Sequence, residues 1–228
     1  MIANKKEFGG GLALMVGFWV VFALLLSPLY GGKNMLDYMD SLYNSISKNS
    51  AYYIPEITKK AEKLQGTSFS ATIKPEGKDA TPRVAAMLRA AGATVEEGAG
   101  ELKVNGDLGA LLGAAMQDTE TVYKNDGPAI QSKYGVEAKQ VMFDWWNTFS
   151  AMEKDFTKHE KFADSTTLNK AKTKAVETAY NYYGIEAQSI KEKAVIVVAS
   201  LVGYVIYTMW FGFAILFMFE GWGLKLEH

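Results

Sequence analysis

Two stretches without a charged residue, Gly9 to Gly32 and Ala194 to Phe219, bracket a polar middle region. A helix advances about 1.5 Å per residue, so about 20 apolar residues cross a hydrocarbon core about 30 Å thick. Both stretches meet that length, and the chain is expected to be anchored in a membrane at both ends. The fold class that follows is an α-helical membrane protein. Two transmembrane helices, over residues 9–30 and 194–220, flank a mainly α extracytoplasmic domain over 31–193. Such an architecture narrows function without naming a substrate or a reaction.

The first stretch has a competing reading as a cleaved signal peptide, since Lys5 and Lys6 precede it in the usual order. It is longer than a signal core of about 7–15 residues, and Ser27-Pro28-Leu29-Tyr30 offers no small-x-small cleavage site, which favours a retained helix. The same two lysines place the N-terminal tail, 1–8, in the cytoplasm by the positive-inside rule. A second span returns the C-terminal tail, 221–225, to that side. The region between them then faces the periplasm or the outside, and the expected location is a bacterial inner (plasma) membrane. The closing Leu226-Glu227-His228 reads as an expression-tag remnant, with a natural ending as the alternative. On the tag reading the cytoplasmic parts are too short for a kinase or a relay helix, which argues against a receptor that signals through its own cytoplasmic domain.

Composition removes whole classes of chemistry. The sequence has no cysteine, which excludes disulfides, thiolate catalysis, iron–sulfur clusters and Cys-ligated zinc. His159 is the one histidine besides His228, and it lies among Lys158, Glu160 and Lys161, as on a solvated helix face. No G-x-S-x-G turn accompanies it. Gly9-Gly10-Gly11 lies at the membrane entry and reads as flexibility, and Gly98-Ala99-Gly100, which lacks the third glycine and following helix of a dinucleotide fingerprint, reads as a turn. A net charge of −1 without a basic run argues against nucleic acid as a partner. Acidic residues gather at Glu96, Glu97 and Glu101 and at Asp118 and Glu120, but without the spacing of a calcium loop a solvated surface is the better reading. No catalytic, cofactor-binding or metal-binding residue is nominated, no cofactor is expected, and the chain is not expected to be an enzyme.

The middle region divides by pattern. Met35, Leu36, Met39, Leu42, Tyr43 and Ile46 recur at helical spacing and predict an amphipathic helix beside the first span, followed by a second from Pro55 to about Leu64. Residues 67–125 predict a small β-α-β-β-α unit. Phe69, Ala71 and Ile73 alternate as in a strand, and Thr81-Pro82 reads as an N-cap with proline in the first turn. Val95 and Leu102 with Val104 mark two strands joined across Gly98-Ala99-Gly100, and Asp107 caps a helix through Leu108, Leu111, Leu112, Ala115 and Met116. Residues 128–193 are expected to be helical. One helix is predicted from Pro128 to His159, with Val136, Val141, Phe143, Trp146, Phe149, Met152 and Phe156 as core candidates. Adjacent helical residues diverge by about 100°, so one of Trp145 and Trp146 should enter the core while the other meets a partner or a surface. Asp164 or Ser165 is expected to cap a last helix, which either bends at Gly184 or continues as one rod into the second span.

The β-α-β-β-α order, with Arg83-Val-Ala-Ala-Met-Leu-Arg-Ala-Ala-Gly-Ala-Thr-Val95, resembles the ring-building motif of flagellar and secretion-system membrane rings. The resemblance covers about a quarter of the chain and rests on topology and apolar spacing. It implies modules that pack side by side around a ring, and therefore self-association.

Within the spans, Gly9, Ala13 and Gly17 fall at successive i, i+4 positions, as do Ala199 and Gly203. Small residues at this spacing let helix backbones approach closely, which promotes association in lipid. They are the helix-packing candidates, between the two spans or between subunits. Ser200, Tyr204, Tyr207 and Thr208 are the candidates for lining a pore, with Glu220 as a ring at its mouth; as interhelical hydrogen-bonding groups they fit equally well. The leading expectation is a non-enzymatic, self-associating membrane protein forming a scaffold or channel with an extracytoplasmic ring or cap. Its partners are membrane lipid and copies of itself. One alternative is an accessory subunit of a larger membrane transport or respiratory complex, with other membrane subunits as partners. The other is an extracytoplasmic binding or sensor module.

Overall fold

Polar caps, more than the edges of the apolar stretches, set where the two long helices begin and end. In the computed structural model, which describes residues 2–77 and 79–224, helix α1 spans Lys5–Leu26. Asn4 Oδ1 accepts from the amides of Lys6 and Glu7 and so satisfies two donors that a helix start leaves open. The helix stops at Ser27, ahead of Pro28, whose ring disfavours a helical residue before it. The first helix therefore ends four residues short of the expected 30. Tyr30 and Lys33 then bridge across Gly31 and Gly32, which both take positive φ, 64° and 82°, as a tight primed turn requires. Helix α2, Met35–Ser50, follows. At the other terminus α10 spans Ile190–Trp222 and closes on Gly223 at φ 93°. It starts before Ala194 because Ser189 caps it and Lys191, Glu192 and Lys193 are good helix formers. Both α1 and α10 are long and apolar enough to cross a membrane. Of the expected tail, 221–225, Gly221 and Trp222 continue α10, while Lys225 and the expected tag remnant, 226–228, lie outside the described residues.

Contacts divide the chain into two units. One unites the terminal segments, up to Ile46 and from Gln188, and the other is Ser47–Ala187. The second unit holds α3 (Ile54–Lys63), β1 (Ser68–Ile73), α4 (Ala80–Ala90), β2 (Thr94–Glu97), β3 (Leu102–Asp107), α5 (Leu108–Tyr123), α6 (Gly127–Tyr134), α7 (Ala138–Lys158), α8 (Phe162–Ala171), a π-helical turn (Lys172–Val176) and α9 (Glu177–Tyr182). The β-α-β-β-α order is as expected. The sheet is antiparallel with order β1-β3-β2, and the register pairs Ala71 and Val95 with Val104 and Ile73 with Leu102. Its buried face, Phe69, Ala71, Ile73, Val95, Leu102 and Val104, packs into one core with the α5 residues Leu108, Leu111, Leu112 and Met116 and the α7 residues Trp145, Phe149 and Phe156. Burying each large apolar side chain contributes about 1.5–3 kcal/mol. Asp107 caps α5 through the Ala110 amide, 2.7 Å away, as its position predicts. Gly109 lets α5 approach the backbone at Leu64 and Gln65, where a β-carbon would collide.

Several expectations for this unit are corrected. Helix α4 starts at Ala80, with Asp79 left-handed (φ 54°) before it, so Thr81 is not the cap. Proline is tolerated throughout a first turn, whose amides have no intrahelical partner, and so does not fix the start. The helix expected over Pro128–His159 is two, because Gly135 at φ 70° closes α6. Neither Asp164 nor Ser165 caps α8. Glu160 at φ 60° ends α7, with Lys161 N donating to Phe156 O and Glu160 N to Thr157 O, and α8 restarts immediately. Of the two courses expected for the last helix, the break at Gly184 is the one seen, since the helical run ends at Tyr182 and Gly184 takes φ 85°. Among the core candidates Phe143 is exposed, and Trp145 rather than Trp146 is the fully buried indole.

Candidate functional site

The two terminal helices pack as an antiparallel pair, and bulky residues on one fit small residues on the other. A β-carbon on Gly11 would lie 2.6 Å from Met218 N and 2.9 Å from Ala214 O, and one on Gly221 would strike the Phe8 backbone. Only glycine permits such approach. Trp210 reaches across to donate its indole N–H to Leu14 O at 3.0 Å, which satisfies the one polar atom of an otherwise apolar side chain. Phe18 stacks on Tyr207 at 4.3 Å and meets Phe211 at 4.8 Å, Phe8 meets Trp222 edge-on at 5.9 Å, and Asn4 N donates to Gly221 O at 2.9 Å.

The small residues singled out in the sequence divide around this seam. Gly17 belongs to it, since a β-carbon there would touch the Trp210 ring at 3.0 Å. Gly9 and Gly203 face open space, and Ala13 and Ala199 are exposed. Gly11, Ala214 and Gly221, which make the close approach, carried a usable signal in their size alone. Gly11 lay within the triplet read as flexibility.

The pore candidates also separate. Ser200 Oγ donates to Val197 O and bonds the Tyr43 hydroxyl of α2, each at 2.8 Å. Tyr207 lies inside the seam, where its hydroxyl is buried and has no hydrogen-bond partner among the described residues. Tyr204 projects outward, 68% exposed, and Thr208 beside it donates to the carbonyls of Tyr204 and Val205. Glu220 is exposed at the end of the pair that carries Asn4. Around these, Val195, Val198, Leu201, Val202, Ile206 and Met209 stand bare on α10, as do Leu12, Val16, Trp19 and Val20 on α1.

In the second unit several buried polar side chains tie one element to another. Asp118 accepts from Lys133 Nζ (2.6 Å), Tyr134 OH (2.6 Å) and Trp145 Nε1 (3.0 Å), which ties α5 to α6 and α7. Arg83 grips Asp144 through two bonds of 2.5 and 2.9 Å, and that carboxylate pushes the guanidinium pKa up. Lys48 donates to Asn125 Oδ1 (3.1 Å), Tyr182 O (3.2 Å) and Ile185 O (2.6 Å), and burial lowers its pKa although Glu186 opposes the shift. Glu153 accepts from Lys172 and Asn169; burial raises its pKa, but those bonds outweigh it and the net shift is downward. His159 is exposed beside Asp155. Among the described residues no acidic or histidine cluster could hold a metal ion. Concavities on this unit include one of about 600 Å³ near Tyr52 and Glu120 and one of about 300 Å³ between α7 and α9. Compared with family models, with curated proteins and with solved structures, the chain matches none.

Proposed function

We propose that the chain is a non-enzymatic integral membrane protein that associates with copies of itself through the outer face of α10, as the subunit of an oligomeric scaffold or channel. The observation that carries this reading is the outer face itself. Apolar side chains stay bare along α10 after it has paired with α1, with Val195 84% exposed, and so continuous an apolar surface demands lipid or protein cover. Lipid alone leaves one feature unserved. Tyr204 lies ten residues beyond Ala194, about 15 Å into the span and close to its middle, and a hydroxyl left without a partner in hydrocarbon costs a few kcal/mol. A second copy of α10, presenting its own Tyr204, Thr208 and the small surface of Gly203 and Ala199, offers both a partner and room for close approach. Lys5 and Lys6 set the N-terminus in the cytoplasm, which assigns Ser47–Ala187 to the outer side. In a channel, Tyr204 and Thr208 would face the pore with Glu220 at its cytoplasmic mouth.

The test is the mass of the protein in maltoside micelles, by light scattering or native mass spectrometry. The reading expects one closed oligomer, which Gly203→Leu and Tyr204→Phe shift towards smaller species while Gly9→Leu does not. A monomer across detergent concentrations overturns it and leaves a different polypeptide as the cover for α10, the accessory-subunit alternative.

A further inference from the structure

We propose that the concavity between α7 and α9 is a binding site for a quaternary or alkylated ammonium group. Helical spacing builds its walls. Met142, Phe143 and Trp146 lie on one face of α7, and Glu177, Tyr180 and Asn181 lie on one face of α9 opposite them. The π-helical turn Lys172–Val176 directly precedes Glu177 and resets the helical phase that brings Glu177 and Tyr180 to this face; single π-turns often occur at sites of function. A volume of about 300 Å³ sits at the small end of the range for ligand pockets. Its chemistry is specific. Three aromatic side chains, Phe143, Trp146 and Tyr180, line it, and Glu177 adds a carboxylate that makes no ion pair among the described residues. Aromatic faces beside a carboxylate attract a large, weakly hydrated cation and give a neutral group of equal size no comparable reward.

The rings already hold ammonium groups of the protein itself. Lys172 Nζ lies 5.5 Å from the Trp146 ring and Lys139 Nζ lies 5.3 Å from that of Tyr180. Lys172 is neutralised by Glu153 at 2.6 Å. Lys139 has no such partner among the described residues, so it acts as an internal competitor for the Tyr180 face, and an incoming ammonium displaces it.

The test titrates the full-length protein in maltoside micelles with choline, tetramethylammonium, the neutral isostere 3,3-dimethylbutanol and monomeric dihexanoylphosphatidylcholine, read by calorimetry and tryptophan fluorescence. The cations are expected to bind saturably and about tenfold more tightly than the isostere. Glu177→Gln should weaken them about fivefold, and Lys139→Gln should strengthen them. Circular dichroism and thermal midpoint check that these exposed substitutions leave the fold intact. Binding by choline identifies a free organic ammonium as the ligand, and binding by the phosphatidylcholine alone identifies a lipid headgroup. No binding by either, or equal binding by the isostere, overturns the assignment, as does indifference to both substitutions. Neither outcome depends on the oligomeric state of α10.

Discussion

Replacing Asp118 with alanine removes the acceptor shared by three elements, and the structure sets the cost. Asp118 is 2% exposed, and its donors differ in what they do when it is gone. Lys133 keeps its ammonium near solvent, its side chain 38% exposed, and turns to water at little loss. Trp145 is fully buried, and Asp118 is the acceptor its N–H uses among the described residues. Tyr134 is held as a donor, since burial and the adjacent carboxylate push its pKa well up. Each stranded buried donor costs about 1–3 kcal/mol. Relief from holding a desolvated carboxylate offsets part of this. The expected loss is about 3 kcal/mol for Asp118→Ala and about 1–2 kcal/mol for Asp118→Asn, which still accepts one bond. Urea unfolding of the full chain in micelles, followed by tryptophan fluorescence, measures both. Tyr134→Phe should cost about 1 kcal/mol alone but recover part of the loss in the alanine background, because there it removes a hydroxyl whose acceptor is already gone. A loss below 1 kcal/mol for Asp118→Ala, or simple additivity with Tyr134→Phe, would refute the network as described.

Three further perturbations reach other parts of the molecule. Gly11→Leu should force the terminal helices apart, while Gly9→Leu should not; oxidative cross-linking of cysteines placed at Phe8 and Trp222, in a chain that has none of its own, reports the difference. Lys48→Met should destabilise the second unit by about 2 kcal/mol and speed amide exchange over residues 183–187, since the carbonyls of Tyr182 and Ile185 lose a charged donor. At high pH, Tyr52 and Tyr123 should govern stability. Burial first, then the Glu120 hydrogen bond for Tyr52 and Tyr182 for Tyr123, raises both from 10.0 to about 12. The folded state therefore keeps protons that the unfolded state releases. That stability is present below pH 10 and is lost as the pH rises through 12, so Tyr52→Phe with Tyr123→Phe should flatten the decline of the thermal midpoint over that interval.

Local signals in the sequence carried most of the fold. Alternation located β1, and the carboxylate of Asp107 marked the start of α5, because both are decided within a few residues. Where the chain breaks was less legible. Gly135 closes a helix while Gly109 and Gly113 sit inside one, and only the surroundings separate them: α3 crowds Gly109, and Gly135 takes the left-handed conformation. Glu160 shows the same limit from the other side. It occupies a left-handed position usually filled by glycine, and no residue-level preference points to it.

The helix pair shows why a small-residue motif does not name its own partner. Gly9, Ala13 and Gly17 share a face at i, i+4 spacing, yet only Gly17 is in the seam and Gly11 makes the tightest approach. The phase of α1 is set by its large residues. Phe8 and Phe18 must fit against Trp222, Tyr207 and Phe211, and Trp210 needs the Leu14 carbonyl. Once these are seated, Gly11 falls opposite Ala214 and Met218, and Gly9 turns outward. The same phasing separates the two central tyrosines of α10. Tyr207 is spent on Phe18, whereas Tyr204, three residues earlier, is left on the outer face beside Thr208. Among the pore candidates, then, it is Tyr204 and Thr208 that remain free to meet another chain, and a loss of oligomer on Tyr207→Phe but not on Tyr204→Phe would contradict that division.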